Sequence, residues 1–337
     1  MSKSWPEWVV ENFERNCDPN EIVRVLLDNK FTVPDIRQMM GDRFPQHSPH
    51  INDDPVSQMI NMGPIDANHL HRKRTALLAT QCALASLAPS RKTIERRRNV
   101  SRVEFLEQYY ALNRPVILCG MMEGWQAMTK WTPEYLKSVC GEEMVEIMAA
   151  RETNPLYEMQ DKKHRRNVRF SEFVDMVVSA NESNDYYITA RNDFFGRPGT
   201  KALLKDMVMF PEYLNNDNPG YGVFLWFGPK GTITPLHHDP MNIFMAQVQG
   251  RKQIKIIPSN EIDLIYNHYS VYSQVDISNP DYDKFPNFRQ ATVIDLELAP
   301  GEVLFLPVGW WHYVKALDRS MTVSFINFIF PNDHEYK

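Results

Sequence analysis

Two histidines and an aspartate, in two distant stretches of the chain, have the residue types and spacing of a metal site. His237 and Asp239 are separated by one residue, so on an extended stretch their side chains lie on the same face. Trp310-Trp311-His312 supplies a third donor much later in the chain. Two imidazoles and one carboxylate leave three positions open on an octahedral ion, an arrangement that suits non-haem Fe(II) because an organic acid and O2 can bind together. These residues therefore predict a centre for oxidative chemistry.

A lysine that follows the first two donors could belong to the same site. Lys252 lies across a predicted hairpin from His237 and could place its ammonium near the interior of a barrel. A buried lysine is costly unless an anion accompanies it, and a dicarboxylate ligand would supply that anion. The alternative is a solvent-facing lysine beside Arg251 and Lys255, which is the usual position of this residue type. Spacing alone does not separate the two interpretations.

The overall composition is that of an ordinary globular protein. Of 337 residues, 43% are hydrophobic and 23% are charged, which excludes the disordered, collagen and coiled-coil classes. The formal net charge of −5 argues against broad polyanion binding, although it allows a local basic patch at Arg96–Arg98 or 162–166. Four widely spaced cysteines without a CxxC pair disfavour a disulfide framework or a zinc-thiolate site.

The expected location follows from the absence of targeting patterns in the sequence. No apolar run approaches the ~18 residues that a membrane helix needs, and the polar start does not resemble a signal peptide. We therefore expect a cytoplasmic protein without membrane partners, and a nuclear location in a eukaryote is also compatible.

The chain is longer than the usual ceiling of about 250–300 residues for a single core, so we expect one large domain with an appendage. Residues 1–44 are predicted to form short helices, since Asp18-Pro19 supplies a cap and a first-turn proline. Residues 45–69 are predicted as a linker and 70–100 as a helix followed by a basic segment. Residues 101–337 are predicted to form the catalytic domain.

Short β-strands dominate the sequence beyond about residue 185. Turn residues such as Pro300-Gly301 separate several apolar runs, and no βαβ alternation is visible. The pattern indicates a mainly β fold with α-helices, arranged as an antiparallel sandwich or barrel. The predicted strands are Tyr186–Ala190, Gly222–Phe227, Ile243–Val248, Lys252–Ile257, Ala291–Leu296, Glu302–Leu306 and Met321–Ile329.

The order of several motifs in residues 101–330 resembles the JmjC family of the cupin superfamily, the Fe(II)- and 2-oxoglutarate-dependent oxygenases. These motifs are Asn113-Arg114-Pro115-Val116, Thr234–Asp239, Ala246–Lys252, Gly301–Pro307, Trp310–His312 and Phe325–Phe328. The residue pattern of these motifs is similar to that of the small hydroxylase branch, which includes the asparaginyl hydroxylase of the hypoxia pathway and the tRNA wybutosine hydroxylase. The resemblance implies a double-stranded β-helix (jelly-roll or cupin) core with a helical N-terminal region.

The resemblance also implies a role for each residue that matches a family position, and no catalytic residue beyond the metal ligands. Tyr187 resembles the upstream tyrosine of the family, with Tyr186 as the alternative because adjacent strand residues face opposite sides. The implied ligands are His237, Asp239 and His312 for Fe(II), and Lys252, Thr234, Tyr187 and Asn327 for 2-oxoglutarate.

One position departs from the family pattern. Many small hydroxylases carry an asparagine six residues after the first ligand, where this chain has Ile243, with Asn242 just before it. A shift of one residue moves a strand side chain to the opposite face, so Asn242 is not expected to replace the missing amide.

The resemblance implies hydroxylation of a side chain in a protein or peptide substrate. N-methyl-lysine demethylation is a variant of the same chemistry, and hydroxylation of a tRNA base or a free amino acid remains an alternative, with nucleic acid the less favoured partner. A different class is a non-catalytic cupin that binds or scaffolds, which the intact His237, Asp239 and His312 set disfavours. By analogy with small JmjC hydroxylases, the N-terminal helices could form a homodimer contact.

Overall fold

The computed structural model describes residues 4–46, 48–51, 67–88, 92–218, 220–267 and 270–334. The chain forms two compact units, 1–74 and 75–337. Most of the predicted linker at 45–69 lies outside the described residues, so its conformation stays a prediction. In the described ranges, no helix is both long enough and apolar enough to cross a membrane.

Residues 5–43 of the first unit form short helices, as the N-terminal sequence predicts. They are α1 (Trp5–Glu14), α2 (Pro19–Asp28) and α3 (Val33–Met40), followed by a 3-10 turn at Gly41–Arg43. Asp18 caps α2 by accepting a hydrogen bond from the Asn20 amide, which satisfies one of the N–H groups left unpaired at a helix start. Their apolar faces meet in a small core of Val9, Ile22, Val23, Leu26, Ile36 and Met40.

In the described residues, the β-structure of the second unit consists of two larger, mainly antiparallel sheets and one two-stranded sheet. The strands are β1 (Arg96–Arg98), β2 (Val116–Cys119), β3 (Met144–Met148), β4 (Arg165–Arg169), β5 (Val223–Gly228), β6 (Ile233–His237), β7 (Ile243–Gln249), β8 (Lys252–Ile257), β9 (Ile294–Leu298), β10 (Glu302–Leu306), β11 (Trp311–Ala316) and β12 (Ser320–Phe325). The larger sheet has the order β1-β2-β10-β7-β12-β5, the smaller sheet has the order β6-β11-β8-β9, and β3 pairs with β4. This is the jelly-roll core that the motif order implies.

One helix, α4 (Ala67–Ser86), crosses the boundary between the two units in sequence, and the remaining helices belong to the second unit. They are α5 (Arg102–Phe105), which continues as a π-helical turn at Leu106–Tyr110, α6 (Ala127–Lys130), α7 (Pro133–Cys140), α8 (Asp161–His164) and α9 (Phe170–Ser179). Shorter 3-10 turns occur at Arg151–Thr153, Ala190–Asn192, Phe194–Gly196, Thr200–Asp206, Ser259–Leu264 and Pro286–Gln290. Phe105 and Phe173 from the helices pack with Phe227 and Phe244 of the larger sheet in the main apolar core.

A smaller apolar cluster fills the space between the two sheets. Ile254 and Ile256 of β8 meet Leu304 and Leu306 of β10, because alternate side chains of each strand face the same side. The turn from β7 to β8 needs a glycine, since Gly250 has φ +67° and a Cβ there would meet the Arg319 carbonyl oxygen. This turn places Lys252 at the start of β8, facing the space between the sheets.

The strand predictions agree with the structure where an apolar run is bounded by turn residues. Lys252–Ile257 and Glu302–Leu306 have the predicted bounds, and Gly222–Phe227 and Ile243–Val248 differ from the observed strands by a single residue at their ends. The structure corrects the other predictions. Tyr186–Ala190 makes only isolated bridges, Met148 to Tyr187 and Ile188 to Phe227, and is not a strand. The strand predicted at Ala291–Leu296 lies at Ile294–Leu298, and the last strand ends at Phe325 because the chain then leaves the sheet.

Candidate metal centre

His237 and His312 lie side by side on neighbouring strands of the smaller sheet. β6 and β11 are antiparallel, with His312 directly opposite His237, and the ring centroids are 4.0 Å apart. Neither strand was among the sequence-predicted strands, although both stretches supply predicted ligands. The register of β6 and β11 thus brings together two residues that are far apart in sequence.

The backbone fixes the orientation of both imidazole rings. His237 Nδ1 lies 2.8 Å from the Pro235 carbonyl oxygen, and His312 Nδ1 lies 3.1 Å from the Trp310 carbonyl oxygen. A carbonyl oxygen only accepts, so each Nδ1 carries the proton and each Nε2 keeps a free lone pair. Backbone partners of this kind are typical of histidines that bind metals.

Asp239, just beyond the end of β6, completes the group. Its Oδ2 atom is 3.8 Å from His237 Nε2 and 3.5 Å from His312 Nε2. The three donor atoms all lie within 4.8 Å of one another, and they form the one such group of at least three found in the described part of the chain. The Asp239 side chain is 31% exposed, so one side of the group is open to a ligand.

The electrostatics of the site also suit a metal ion. Burial, with a contribution from neighbouring His237, holds the pKa of His312 well below its usual value, so this imidazole is neutral and able to donate its lone pair. Two imidazoles and one carboxylate group leave room for further ligands on an octahedral ion. This donor set fits Fe(II).

A cavity of about 320 Å³ adjoins the three donors. It contains both polar groups and an apolar wall, as small-ligand sites usually do. The polar or ionisable residues of its lining besides the donors are Glu158, Tyr187, Thr189, Trp226, Thr234, Lys252, Tyr272 and Ser324, and the apolar residues include Met241, Ile243, Met245, Val314 and Ile326.

Lys252 is buried inside this cavity, which excludes the interpretation of a solvent-facing lysine. Its side chain is 1% exposed, and Nζ donates a hydrogen bond to the Tyr187 hydroxyl at 3.1 Å. Within the described part of the chain, no carboxylate lies within ion-pair distance of Nζ, and burial lowers the pKa of Lys252 to about 7. An anionic ligand beside Nζ would therefore favour the protonated form of this buried lysine.

Tyr187, not Tyr186, faces the cavity, which decides between the two tyrosines. Tyr187 lines the cavity and receives the Lys252 hydrogen bond, whereas the Tyr186 hydroxyl donates to the Met176 carbonyl oxygen. Thr234, on β6, lines the same cavity. The structure thus brings together Lys252, Tyr187 and Thr234.

Asn327 does not lie with these residues. Its amide Nδ2 donates to the Asn215 carbonyl oxygen, and the cavity is lined instead by Ser324 and Ile326. The reason is that β12 ends at Phe325, after which the chain turns toward Asn215. The position of Asn327 gives no support to its predicted contact with the cofactor.

The expected consequence of the departure at Ile243 is confirmed. Ile243 lines the cavity, whereas the buried Asn242 side chain donates to Asn332 and accepts a hydrogen bond from the Val308 amide. Ser324 is a polar cavity residue that the motif comparison missed, because a serine in an apolar strand gives no distinctive signal. Its hydroxyl accepts a hydrogen bond from Trp226 Nε1 at 2.8 Å.

Glu158 and Tyr272 are two further cavity residues that sequence reasoning did not identify. Both come from loops between strands, where no periodicity indicates which side chain faces inward. Tyr272 belongs to the stretch between β8 and β9, and its ring centroid lies 5.6 Å from that of His237.

The comparisons with known proteins agree with this geometry. The profile of the cupin-like domain matches residues 102–333. Lysine-specific demethylase 8 of Xenopus tropicalis is 33% identical over 72% of this chain and 55% of its own length. Lysine-specific demethylase JMJ30 of Arabidopsis thaliana is 34% identical over 78% of this chain and 61% of its own length. The tRNA wybutosine-synthesizing protein 5 of Gallus gallus is 28% identical over 67% of this chain and 74% of its own length. The chain thus spans little more than half the length of the two demethylases.

Proposed function

Because the chain belongs to the cupin-like domain family and its relatives include JmjC proteins, we propose that it is an Fe(II)- and 2-oxoglutarate-dependent oxygenase. In this proposal the enzyme hydroxylates a side chain of a protein or peptide. The observation that carries the proposal is the buried Lys252 ammonium in the same cavity as two histidines and an aspartate. A dicarboxylate could bind the metal with one carboxylate and supply a counter-charge to the Lys252 ammonium with the other.

In this proposal, several residues of the cavity have distinct roles. His237, Asp239 and His312 hold the metal from one side and leave its other positions to the ligands. Lys252, with Tyr187 and Thr234 beside it, binds the distal carboxylate of 2-oxoglutarate and so fixes the orientation of the keto acid. When both cofactors are bound, decarboxylation of 2-oxoglutarate to succinate and CO2 lets one oxygen atom of O2 enter succinate and the other enter a substrate C–H bond. The apolar wall around Ile243 and Met245 excludes water from the reacting groups.

The basic segment Arg96–Arg98 is neutralised by ion pairs with acidic side chains, which favours a protein substrate over RNA. The three arginines of β1 form ion pairs, Arg96 with Glu302 at 2.7 Å, Arg97 with Glu104 at 2.6 Å and Arg98 with Glu123 at 3.1 Å. Arginines paired in this way supply little net positive charge for phosphates.

Demethylation of N-methyl-lysine is the second candidate, because two of the relatives are named lysine-specific demethylases and the reaction needs the same cofactors.

The proposal is tested by anaerobic titration of the metal-free protein with Fe(II) and then 2-oxoglutarate. We expect a weak visible charge-transfer band that requires both additions, because the keto acid chelates the metal. Mass spectrometry of candidate peptides after admission of air should then show the addition of one oxygen atom that depends on 2-oxoglutarate. If no band forms, a non-catalytic cupin becomes the better description.

Binding of 2-oxoglutarate should take up a proton at alkaline pH. Burial holds the pKa of free Lys252 at about 7, and a bound carboxylate raises it, so ligand binding favours the protonated lysine. At pH 8 we expect an uptake of about 0.9 proton per ligand, and affinity should fall about tenfold per pH unit above 7 until the pKa of the complex is reached. Calorimetry in two buffers of different ionisation enthalpy, on protein loaded with Mn(II) in the absence of O2, measures this uptake.

The matched control is Lys255→Met, which removes a lysine of the same strand that pairs with Asp295 at 2.7 Å instead of lining the cavity. This variant should keep the proton uptake. A pH-independent affinity between pH 7 and pH 9 would show that Lys252 is not the group that receives the ligand.

A further inference from the structure

A second and larger cavity lies directly beside the metal cavity. It is an open groove of about 740 Å³, with apolar side chains such as Leu156, Val275 and Ile277 in its lining. The two cavities share two residues, Glu158 and Tyr272. A ligand in the groove therefore lies against the same two side chains that line the cavity of the metal donors.

Glu158 is held in place by a fully buried arginine. Arg151 Nη2 donates to Glu158 Oε1 at 3.0 Å and to the Ile233 carbonyl oxygen at 2.6 Å, and the guanidinium lies 4.3 Å from the centre of the Tyr157 ring. Because these contacts fix the guanidinium, Oε1 is fixed as well. Glu158 is thus a rigid carboxylate and not a mobile surface group.

The second carboxylate oxygen of Glu158, Oε2, can accept further hydrogen bonds. Among the described residues, Oε2 has one hydrogen bond, a long one of 3.4 Å from the Tyr272 hydroxyl. The Glu158 side chain is only 11% exposed, so water has limited access to this oxygen. A carboxylate oxygen accepts more than one hydrogen bond, and a nearly buried acceptor is most stable when donors reach it.

We propose that Glu158 determines substrate specificity by accepting a hydrogen bond from an N–H group at the end of the substrate side chain, while the flanking polypeptide occupies the groove. This inference rests on the proposed function and specifies its substrate class. A phosphate backbone does not suit the groove, because its charged residues are Glu158, Asp276 and a single lysine, Lys284. A free amino acid would leave most of the groove empty, whereas an extended peptide fits a groove of this size.

The test uses four fluorescein-labelled peptides that differ only in the central residue, which is norleucine, glutamine, lysine or arginine, with leucines on both sides. Binding is measured by fluorescence anisotropy on protein loaded with Mn(II) and 2-oxoglutarate without O2. We expect at least one peptide with a terminal N–H group to bind about tenfold or more tightly than the norleucine peptide, and the order among the three separates an amide from a cation.

Three variants assign the preference to Glu158. Glu158→Gln should remove most of it, whereas Asp276→Asn, the same chemical change in the groove but outside the metal cavity, should keep it. Tyr272→Phe removes the hydroxyl that competes for Oε2 and keeps the ring beside His237, so the preference should increase. This last variant decides the question if Glu158→Gln fails to fold after the loss of the Arg151 counter-charge.

Equal binding of all four peptides, or an unchanged preference in both Glu158→Gln and Tyr272→Phe, would overturn the inference. If no peptide binds while Mn(II) and 2-oxoglutarate do, the substrate inference is wrong and the proposed oxygenase function stands. Failure of Mn(II) and 2-oxoglutarate to bind would instead count against the proposed function on which the inference rests.

Discussion

Asp239→Ala is expected to abolish 2-oxoglutarate turnover and to weaken metal binding by at least about 100-fold, since even residues that only support metal ligands change affinity about 10–100-fold. Asp239 supplies the negative charge of the group, and its Oδ2 lies within 4 Å of both imidazole Nε2 atoms. Two imidazoles alone bind a divalent ion weakly and no longer fix its open positions. Anaerobic calorimetry with Mn(II) measures the affinity, and NMR detection of succinate measures the turnover.

A matched control separates this effect from a general change in charge. Asp295→Ala removes a carboxylate of β9 that pairs with Lys255, away from the cavity, and should leave metal affinity unchanged. The fold of Asp239→Ala should persist, because the removed side chain is partly exposed and is not part of an apolar core. Turnover that survived in this variant would mean that the metal is held elsewhere or is not required.

The predictions from sequence succeeded where alternation along a strand determines which way a side chain points. His237 and Asp239 required only an extended backbone to lie on one face, and the departure at Ile243 followed from the same rule. The sequence could not decide whether Lys252 is buried, because a lysine at a strand start is compatible with either side of a sheet. The structure decides it through the turn at Gly250 and the register of β8.

The unsupported and missed residues lie where the chain leaves regular structure. The contact of Asn327 with the cofactor stays a prediction, and this residue follows the end of β12, where the alternation no longer holds. Glu158 lies in a loop, and its direction depends on the ion pair with Arg151, which is itself held by Asn184 and Ile233 from other parts of the chain. Tertiary contacts of this kind have no signature in a single sequence.

Lys252→Met is expected to lower 2-oxoglutarate affinity by about 100-fold or more and at the same time to stabilise the ligand-free protein. The ammonium is the buried cation of the cavity, and a charge-assisted bond to a carboxylate in such a site is among the strong polar contacts of a protein. Methionine has a similar length and no charge, so the apolar part of the side chain is retained. Calorimetry on Mn(II)-loaded protein measures the affinity, and thermal unfolding of the metal-free protein measures the stability.

The pH dependence of the stability difference gives this prediction a second, independent readout. The pKa of Lys252 is about 7 in the folded protein, whereas an unfolded chain has the ordinary lysine value of 10.5, so folding has to bury a charge at neutral pH. This cost is present in full below pH 7, decreases as pH rises from 7 to 10.5, and disappears above that range, because the lysine is then neutral in both states. The advantage of Lys252→Met should therefore be a few kcal/mol near pH 6.5 and clearly smaller at pH 9.

The combination of both results distinguishes a ligand-binding lysine from a structural one. A lysine that only stabilises the fold would lose stability on replacement, whereas a lysine kept for its ligand gains stability and loses binding. Lys255→Met, on the same strand but paired with Asp295, should change neither the affinity nor the pH dependence. If Lys252→Met bound 2-oxoglutarate with unchanged affinity, the buried cation would have no part in binding the keto acid, and the assignment of the cavity would have to be abandoned.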